Sequence, residues 1–203
     1  MIAIVDYGVG NLFSLKSSFA EIGADVTVTS DAEVIRASDK IILPGVGAFG
    51  DAAEKLRQSG LDKVVIEETQ KGKHLMGICL GMQLLFEKSF EYGENDGLGL
   101  IKGSVRPISD VIPKDLKIPH IGWNQLSFGK SKHPIFKYLE EGDCVYFVHS
   151  FYGAECDDSV IATTEYGAAL TAAVASANVC GCQFHPEKSG KAGLSILKAF
   201  CEL

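Results

Sequence analysis

The sequence lacks several patterns that mark secreted, membrane-bound and nucleic-acid-binding proteins. It opens with the strand-like segment MIAIVD, without a basic stretch followed by a long apolar run, which argues against a secretory signal. The 203 residues carry a formal net charge of -7, so a sequence-independent grip on nucleic acid is not expected. Six cysteines without an export signal favour reduced thiols, and therefore a cytoplasmic protein, over a disulfide framework.

No Lys, Arg, Asp or Glu occurs between residues 167 and 186, which raises the question of a membrane-spanning segment. Several polar residues interrupt this stretch, namely Thr171, Ser176, Asn178, Gln183 and His185. A helix that crosses a bilayer needs about 20 consecutive, predominantly apolar residues, and the apolar parts here are broken by turn formers. We therefore predict two buried strands, joined by a hairpin turn at residues 176–178, and no membrane segment.

The first half of the chain alternates short apolar runs with helical patterns. The runs IAIVD, DVTVTS, KIILP and HLMGI are typical of buried strands. Helical patterns follow them at residues 11–22, 51–58 and 61–71, and from Leu80 to about Lys88. Strands separated by helices predict a parallel sheet that is covered by helices on both faces.

The second half changes to short strand patterns separated by turn residues. These segments are GLIKGSVRPI, HIGWNQLSF, DCVYFVHSF, SVIATTEYG, ALTAAVAS and NVCGCQFHP, and a last helix is predicted at residues 189–201. We expect the short strands to form an antiparallel extension of the sheet. Because no linker, repeat or low-complexity tract is evident, we predict one domain over residues 1–203, an α/β three-layer sandwich with a mostly parallel central sheet.

The segment Gly77-Ile78-Cys79-Leu80-Gly81 follows the pattern of a nucleophile elbow, with a thiol in place of the usual hydroxyl. Its two glycines permit a tight turn from strand to helix, which would present the thiol at the carboxyl end of the sheet and at a helix N-terminus. That position favours a thiolate, the nucleophilic form of cysteine. Because most unpaired cysteines are small buried residues, the pattern alone does not assign a function.

A thiol nucleophile needs a base, and the sequence offers five histidines. His74 and His133 lie in polar surroundings and are expected at the surface. His120 and His149 lie in strand patterns, where a structural role is the default expectation. His185 differs from all four because it ends a strand pattern and is followed closely by a carboxylate.

That carboxylate is Glu187, two residues after His185 in the segment CQFHPEKSG. On an extended chain the two side chains point to the same side, and we expect Pro186 to keep the segment extended. The carboxylate would then orient one ring nitrogen and leave the other facing Cys79. This arrangement is the logic of a triad made of nucleophile, base and orienting acid.

A nucleophile that attacks a carbonyl also needs N–H groups that stabilise the oxyanion. The elbow pattern supplies the N–H of Leu80. The loop after KIILP contains Gly45, Val46 and Gly47, and its glycines would let a peptide N–H at Val46 or Gly47 point into the same site.

Two other kinds of site compete with this interpretation. With Gly50, the loop completes a G-x-G-x-x-G sequence, but a dinucleotide site would use the first strand and an acidic residue about 20 positions later. Here the loop follows the third predicted strand, and the next strand ends at Cys79. Cys180, Cys182 and His185 are close in sequence, but their spacing is not a usual zinc pattern, so we expect core cysteines and no metal.

The loop PGVG, the elbow GICLGMQLLFE and the distal segment QFHPEKS occur in the order and spacing of the class I, or triad, glutamine amidotransferases. Three narrower segments, DYGVGNLFSL, IPHIGWNQL and HPEKSGKAG, resemble the glutaminase subunits of imidazole glycerol phosphate synthases. The resemblance covers nearly the whole chain. It implies a flavodoxin-like fold, hydrolysis of glutamine to glutamate and ammonia, and no cofactor. One departure is Cys182, where the pattern leads us to expect an aliphatic residue.

The resemblance also implies roles for individual residues. Cys79 would be the nucleophile, His185 the base and Glu187 its orienting acid. The substrate L-glutamine would be held by a further set, namely Gln83, Glu91 and the backbone around His149, Ser150 and Phe151.

Ammonia is protonated in neutral water and is then no longer a nucleophile, so it must reach its acceptor without meeting bulk solvent. The triad scaffold accounts for this entire chain, so we expect the acceptor site on a partner. The resemblance implies a (β/α)8-barrel cyclase that makes imidazole glycerol phosphate in histidine biosynthesis and also releases an aminoimidazole carboxamide ribotide. We predict the interface around Asn11, Trp123 and Lys188, at the carboxyl end of the sheet.

Three alternatives stay open at the level of sequence. One is the glutaminase of another pathway, such as anthranilate, aminodeoxychorismate or pyridoxal phosphate synthesis, because the elbow and the HPE segment do not separate these. A second is a cysteine peptidase or acyl hydrolase on a similar fold. A third is a non-catalytic binding protein with a vestigial triad.

Overall fold

A computed structural model describes residues 1–129 and 131–203 of the chain. The strands are β1 Ile2–Val5, β2 Val26–Thr29, β3 Lys40–Leu43, β4 His74–Ile78, β5 Phe86–Ser89, β6 Asn95–Asp96, β7 Ile101–Pro107, β8 His120–Gln125, β9 Ser127–Phe128, β10 Cys144–His149, β11 Phe151–Ala154, β12 Val160–Glu165, β13 Ala169–Ser176 and β14 Val179–Cys182. The α-helices are α1 Leu12–Glu21, α2 Ala32–Ala37, α3 Phe49–Gln58, α4 Leu61–Gln70, α5 Leu80–Leu84 and α6 Gly190–Cys201.

The central sheet has eight strands in the order β2-β1-β3-β4-β14-β13-β12-β9. The strands from β2 to β14 in this order are parallel, and those from β14 to β9 are antiparallel, which confirms the predicted mixed sheet. Leu43 of β3 pairs with Gly77 of β4, and Ile78 pairs with Cys182 of β14. The chain therefore leaves these three strands at the same edge of the sheet, where the predicted site residues follow.

The sheet separates two apolar layers, because successive strand residues point to opposite faces. On β1, Ile2 and Ile4 pack in one layer with residues of α1 and α6, such as Phe19 and Phe200. Ala3 and Val5 pack in the other layer with residues of α2, α3 and α4. This arrangement confirms the predicted three-layer sandwich.

The helix that follows the elbow is shorter than predicted. We expected it to run from Leu80 to about Lys88, but α5 ends at Leu84 and residues 86–89 form a strand. The carbonyl oxygen of Leu85 accepts hydrogen bonds from the N–H groups of Leu100 and Ile101. Pairing with a segment farther along the chain therefore ends the helix, and local helix propensity does not predict it.

Several strands of the second half do not extend the central sheet, contrary to expectation. β11, β7, β5 and β6 form a separate four-stranded sheet, and β10 pairs with β8 in a two-stranded one. The strand patterns of β7, β8, β10 and β11 were correct, but β5 and β6 were not predicted as strands, and the choice of partner depends on long-range packing. α2, capped by the Asp31 side chain on the N–H of Glu33, was not predicted at all.

The uncharged stretch at residues 167–186 contains β13, β14 and the turn between them, as predicted. Its apolar side chains lie in the two layers beside the sheet, for example Val174 and Ala173 on opposite faces. Within the described residues, the helices are all too short or too polar to cross a bilayer.

Candidate active site

The elbow is a strained turn between β4 and α5. Cys79 has a φ of 55° and a ψ of -113°, a conformation that a non-glycine residue adopts only when its surroundings enforce it. A Cβ atom on Gly77 would lie 2.6 Å from the carbonyl oxygen of Gly81, and one on Gly81 would lie 1.8 Å from that of Leu43. Both glycines of the pattern are therefore required by close packing of the backbone, and the turn holds the thiol at the sheet edge.

His185 and Glu187 come together as predicted, but through a different backbone geometry. The expectation of an extended segment is wrong, because Pro186–Lys188 forms a turn of 3-10 helix after His185. The Nδ1 atom of His185 still donates to Oε1 of Glu187 at 2.8 Å, and both side chains are buried. Since Nδ1 is engaged by the carboxylate, Nε2 is the nitrogen left for the sulfur of Cys79.

The electrostatics of His185 favour its charged form. Burial lowers the pKa of this imidazole, but hydrogen bonds to Cys79 and Glu187, with the negative charges of both, outweigh burial and raise the pKa to about 9. An imidazolium beside a thiol stabilises the thiolate, which is the reactive form. The geometry thus places a thiol beside an imidazolium and a buried carboxylate, the three groups of the predicted triad.

A cavity of about 360 Å³ opens at this edge of the sheet. It brings together every predicted catalytic, oxyanion and substrate-binding residue except Glu187, which lies behind His185: Val46, Gly47, Cys79, Leu80, Gln83, Glu91, His149, Ser150, Phe151 and His185. Lys188, predicted at the interface, lines the same cavity. A volume of this size is within the range of small-molecule sites.

The glycine loop packs directly on the elbow. A Cβ atom on Gly45 would approach the backbone nitrogen of Gly81 to 2.8 Å and the hydroxyl of Tyr7 to 2.9 Å. That hydroxyl donates to the carbonyl oxygen of Pro44 at 2.7 Å and so holds the loop in place. Leu80, which this loop contacts, is the first residue of α5, so its N–H has no carbonyl partner within the helix.

Comparison with known proteins identifies the family of this chain. A family model described as "Glutamine amidotransferase class-I" matches residues 3–202. The chain belongs to this family. It is similar to "Imidazole glycerol phosphate synthase subunit HisH" of Caldanaerobacter subterraneus, with 50% identity over 100% of this chain and 98% of that protein. The protein of the same description from Wolinella succinogenes is 46% identical over the full length of both chains.

A solved structure described as "Crystal structure of glutamine amidotransferase" superposes with a TM-score of 0.77, covering 100% of this chain and 98% of that one. Its sequence identity is 18%, so this likeness concerns the fold alone. Together, the family match, the full-length relatives and the shared fold confirm the resemblance that the sequence segments indicated.

In this class I amidotransferase, Glu91 makes a contact within the protein that the sequence did not predict. Its Oε2 atom accepts a hydrogen bond from the N–H of Phe49 at 2.6 Å, which caps α3 where Ala48 has no side-chain acceptor. Burial raises the pKa of Glu91, partly offset by this hydrogen bond, and the nearby Asp51 carboxylate raises it further. The side chain therefore joins the wall of the cavity to the start of a helix.

Two residues in contact with the site were missed by sequence reasoning. Gln183 is completely buried, and its Nε2 atom lies 3.8 Å from the sulfur of Cys79. His120 is buried between the rings of Phe147 and Tyr166, with its Nδ1 atom 2.9 Å from Nε2 of His149. A polar side chain inside an otherwise apolar strand pattern is the signal that both offered.

Of the three residues predicted at the partner interface, Trp123 and Lys188 both contact Tyr146, and Lys188 also lines the cavity. Asn11 caps α1, because its Oδ1 accepts from the N–H of Ser14 at 3.4 Å. Trp123 is 54% exposed on β8, and its ring packs edge-on against Tyr146. The Nζ atom of Lys188 lies over the ring of the same Tyr146, 5.8 Å from its centre.

Cys180 and Cys182 belong to the apolar layer between the sheet and α6. Burial raises the pKa of Cys180 to about 12 and that of Cys182 well above its ordinary value. Both are therefore thiols at neutral pH, which are poor metal ligands. Among the described residues there is no cluster of three or more His, Cys, Asp or Glu side chains arranged to hold a metal ion.

Proposed function

We propose that the chain is the glutaminase subunit of an imidazole glycerol phosphate synthase, which hydrolyses glutamine and passes the ammonia to a cyclase in histidine biosynthesis. The observation that carries the proposal is the Cys79–His185–Glu187 arrangement at the wall of the cavity. It occurs in a chain that is 50% identical over its full length to a protein described as subunit HisH of that synthase.

The reaction begins when the Cys79 thiolate attacks the side-chain carbonyl carbon of glutamine. The N–H of Leu80, and one from the Val46–Gly47 loop, stabilise the oxyanion. His185 protonates the departing nitrogen, which leaves as ammonia, and a γ-glutamyl thioester remains on Cys79. Water, activated by the now neutral His185, hydrolyses the thioester to glutamate and restores the thiol site. Glu187 keeps Nδ1 of His185 engaged throughout.

The contacts to glutamine can be inferred from the hydrogen-bonding groups at the cavity that have no partner within the protein. Both N–H groups of Gln83 are used within the protein, on the carbonyl oxygen of Phe151 and on Oε1 of Gln183. Gln83 therefore binds glutamine through its own Oε1, which accepts a hydrogen bond. The backbone of His149–Phe151 and the carboxylate of Glu91 complete the site, the latter toward the amino group.

The oxyanion loop gives a means of coupling hydrolysis to the partner. Gly47 has a φ of 98°, so a Cβ-bearing residue is disfavoured there, and the adjoining Val46 side chain is 42% exposed. A peptide in this setting rotates at little cost. Partner binding with an acceptor substrate then turns an N–H into the cavity, and glutamine is hydrolysed only slowly by the chain alone.

The partner is a (β/α)8-barrel cyclase that forms a heterodimer with this chain and receives ammonia out of contact with solvent. Support comes from the face of β8, where Ile121 and Trp123 are both more than half exposed. Neighbouring Ile118 is 45% exposed. Large apolar side chains that are exposed together beside a cavity are typical of a protein interface.

Glutamine hydrolysis tests this function directly. Glutamate production is measured for the chain alone, with the barrel cyclase, and with the cyclase and its nucleotide ligand. We expect the third condition to be fastest, and the Cys79→Ala variant to lose at least about 1,000-fold in every condition because no nucleophile remains. Cys144→Ala, which removes an exposed thiol, is the matched control and should match the parent. A Cys79→Ala variant with parental turnover would refute the assignment.

Co-purification with the barrel cyclase separates this function from glutaminases of other pathways. Lys188→Glu reverses a charge and Trp123→Ala removes an exposed anchor, so each should weaken binding about tenfold or more. Tyr138→Ala is the control, because Tyr138 is also exposed but contacts Glu202 at the far end of α6. If neither variant weakens binding more than the control does, the interface lies elsewhere. If the parent chain does not bind the cyclase at all, the pathway is wrong.

A further inference from the structure

Gln183 lies beside the predicted nucleophile but does not line the cavity. It follows the last residue of β14, and its backbone N–H donates to the carbonyl oxygen of Ala172 at 2.8 Å, which extends the sheet by one bond. Its side chain is completely buried. Nε2 faces the sulfur of Cys79 at 3.8 Å, and Oε1 accepts from Nε2 of Gln83 at 2.9 Å.

The direction of this amide is fixed by a backbone carbonyl. The carbonyl oxygen of Phe151 can only accept, and it lies 3.3 Å from Nε2 of Gln83 and 2.8 Å from Nδ1 of His149. Gln83 must therefore turn its NH₂ group toward Phe151, and its second N–H reaches Oε1 of Gln183. It follows that Gln183 presents its own NH₂ group, and not its oxygen, to the sulfur.

The same carbonyl sets the tautomer of His149. Because Nδ1 donates to Phe151, Nε2 carries a lone pair and accepts from Nδ1 of His120 at 2.9 Å. Burial lowers the pKa of His149 to about 4, so the ring is neutral and this pattern persists at physiological pH. His149 and Gln83 thus both donate to the carbonyl oxygen of Phe151, and His120 in turn donates to His149.

The helix behind Cys79 cannot by itself hold a thiolate. α5 has five residues, so it contributes only a short stack of peptide dipoles. Cys79 is only 8% exposed and packs in the apolar layer beside the sheet, where an anion needs hydrogen-bond donors in place of water. His185 supplies one donor, and the Gln183 amide is placed to supply a second.

We propose that Gln183 is a further catalytic residue, whose side-chain N–H donates to the Cys79 thiolate and favours it over the thiol. The proposal rests on the proposed function only in giving Cys79 the role of nucleophile. The titratable groups that act on this sulfur are His185, Tyr7 and Cys182. Tyr7 and Cys182 are neutral at physiological pH, since burial raises the pKa of each, so His185 and Gln183 are left to stabilise the anion.

The test is the pH dependence of Cys79 alkylation by iodoacetamide, followed by mass spectrometry of the peptide that contains Cys79. Gln183→Met keeps the length of the side chain and removes the donor. We expect about tenfold slower alkylation at pH 7, with the parental rate recovered at high pH, because a hydrogen bond to a charged group is worth about one pH unit. Gln183→Glu keeps the shape and places a carboxylate beside the sulfur, so it should be slower still.

Asn178→Leu is the matched control. Its amide donates to the carbonyl oxygens of Thr69 and Lys73, far from the sulfur and just before β14, so it should lower the melting temperature and leave the alkylation profile unchanged. A Gln183→Met or Gln183→Glu protein that melts lower but is alkylated at the parental rate at every pH would overturn the proposal. Alkylation needs no glutamine, so a shifted profile in a chain that hydrolyses no glutamine even with the barrel cyclase and its nucleotide ligand would reject the proposed function and leave the donor role of Gln183 standing.

Discussion

His185 and His149 line the same cavity, and each places Nδ1 2.8 Å from an oxygen atom, yet their pKa values move in opposite directions. Burial lowers the pKa of both rings. For His185, hydrogen bonds to Cys79 and Glu187 outweigh burial and raise the pKa to about 9. For His149, the acceptor is a neutral carbonyl, and burial prevails at about 4.

The difference follows from the two partners of His185 that carry negative charge, the Cys79 sulfur and the Glu187 carboxylate, because His149 has only the neutral carbonyl of Phe151 to offset burial. A carboxylate stabilises the imidazolium by about twice as much as a neutral oxygen does. The charged His185 also lowers the pKa of His149 by repulsion, although less than burial does. One ring is thereby prepared for proton transfer, and the other stays neutral and holds the backbone of the substrate site.

The largest expected effect comes from removing that difference at Glu187. Glu187→Gln replaces the carboxylate with a neutral amide, so His185 loses one of the two charged partners that distinguish it from His149. We expect kcat for glutamine hydrolysis to fall at least about 1,000-fold, as when the orienting acid of other triads is neutralised. Glu202→Gln is the control, because Glu202 forms a surface ion pair with Lys137. Activity within tenfold of the parent would mean that the carboxylate does not set the state of His185.

A smaller effect is expected in the acid stability of the protein. The folded pKa of His149, about 4, lies below the ordinary value of 6.5, so only the unfolded chain takes up a proton between these values. Stability is therefore lost as the pH falls through this window. Between pH 7 and pH 5, His149 should account for a decrease of about 2 kcal/mol in the free energy of unfolding.

Urea unfolding at both pH values, compared between the parent and His149→Gln, measures this contribution. The variant should lose about 2 kcal/mol less than the parent on acidification. His133→Gln serves as the control, because His133 is only partly buried and should change the pH dependence less. An equal loss in the parent and in His149→Gln would mean that His149 is not held neutral.

The smallest expected effect concerns the donor to His149. His120→Phe preserves the stacking between Phe147 and Tyr166 but removes the N–H that Nε2 of His149 accepts. We expect a loss of about 1 kcal/mol in the free energy of unfolding, and a modest rise in KM with kcat preserved. A kcat that falls with KM unchanged would place His120 in the chemical steps instead.

Much of the site could be predicted because its parts are local patterns. Gly77 and Gly81 flank Cys79 for a reason that can be derived from backbone packing, and the short interval from His185 to Glu187 limits how far apart they can lie. Even so, the predicted extended geometry at Pro186 was wrong, since a helical turn brings the two side chains together. The sequence interval predicted that the two side chains meet, but it did not predict the backbone conformation that brings them together.

The remaining features depend on contacts that are distant in sequence. Gln183 meets Gln83 across 100 residues, and its role depends on which way an amide turns, which no periodicity encodes. The early end of α5 at Leu84 and the separate sheet around β7 likewise follow from long-range pairing. Residues whose function depends on such pairing are recognisable in sequence only as polar interruptions of apolar strands.

The central claim is that Cys79, with His185 and Glu187, takes the glutamyl group from glutamine. The most direct measurement is to mix the chain, its barrel partner and the nucleotide ligand with glutamine, stop the reaction in acid, and determine the mass of the peptide that contains Cys79. The account predicts a γ-glutamyl group on that peptide, absent from the Cys79→Ala variant. Two results would contradict the account. One is a γ-glutamyl group on a residue other than Cys79 during steady glutamine hydrolysis, and the other is undiminished turnover of glutamine by the Cys79→Ala variant.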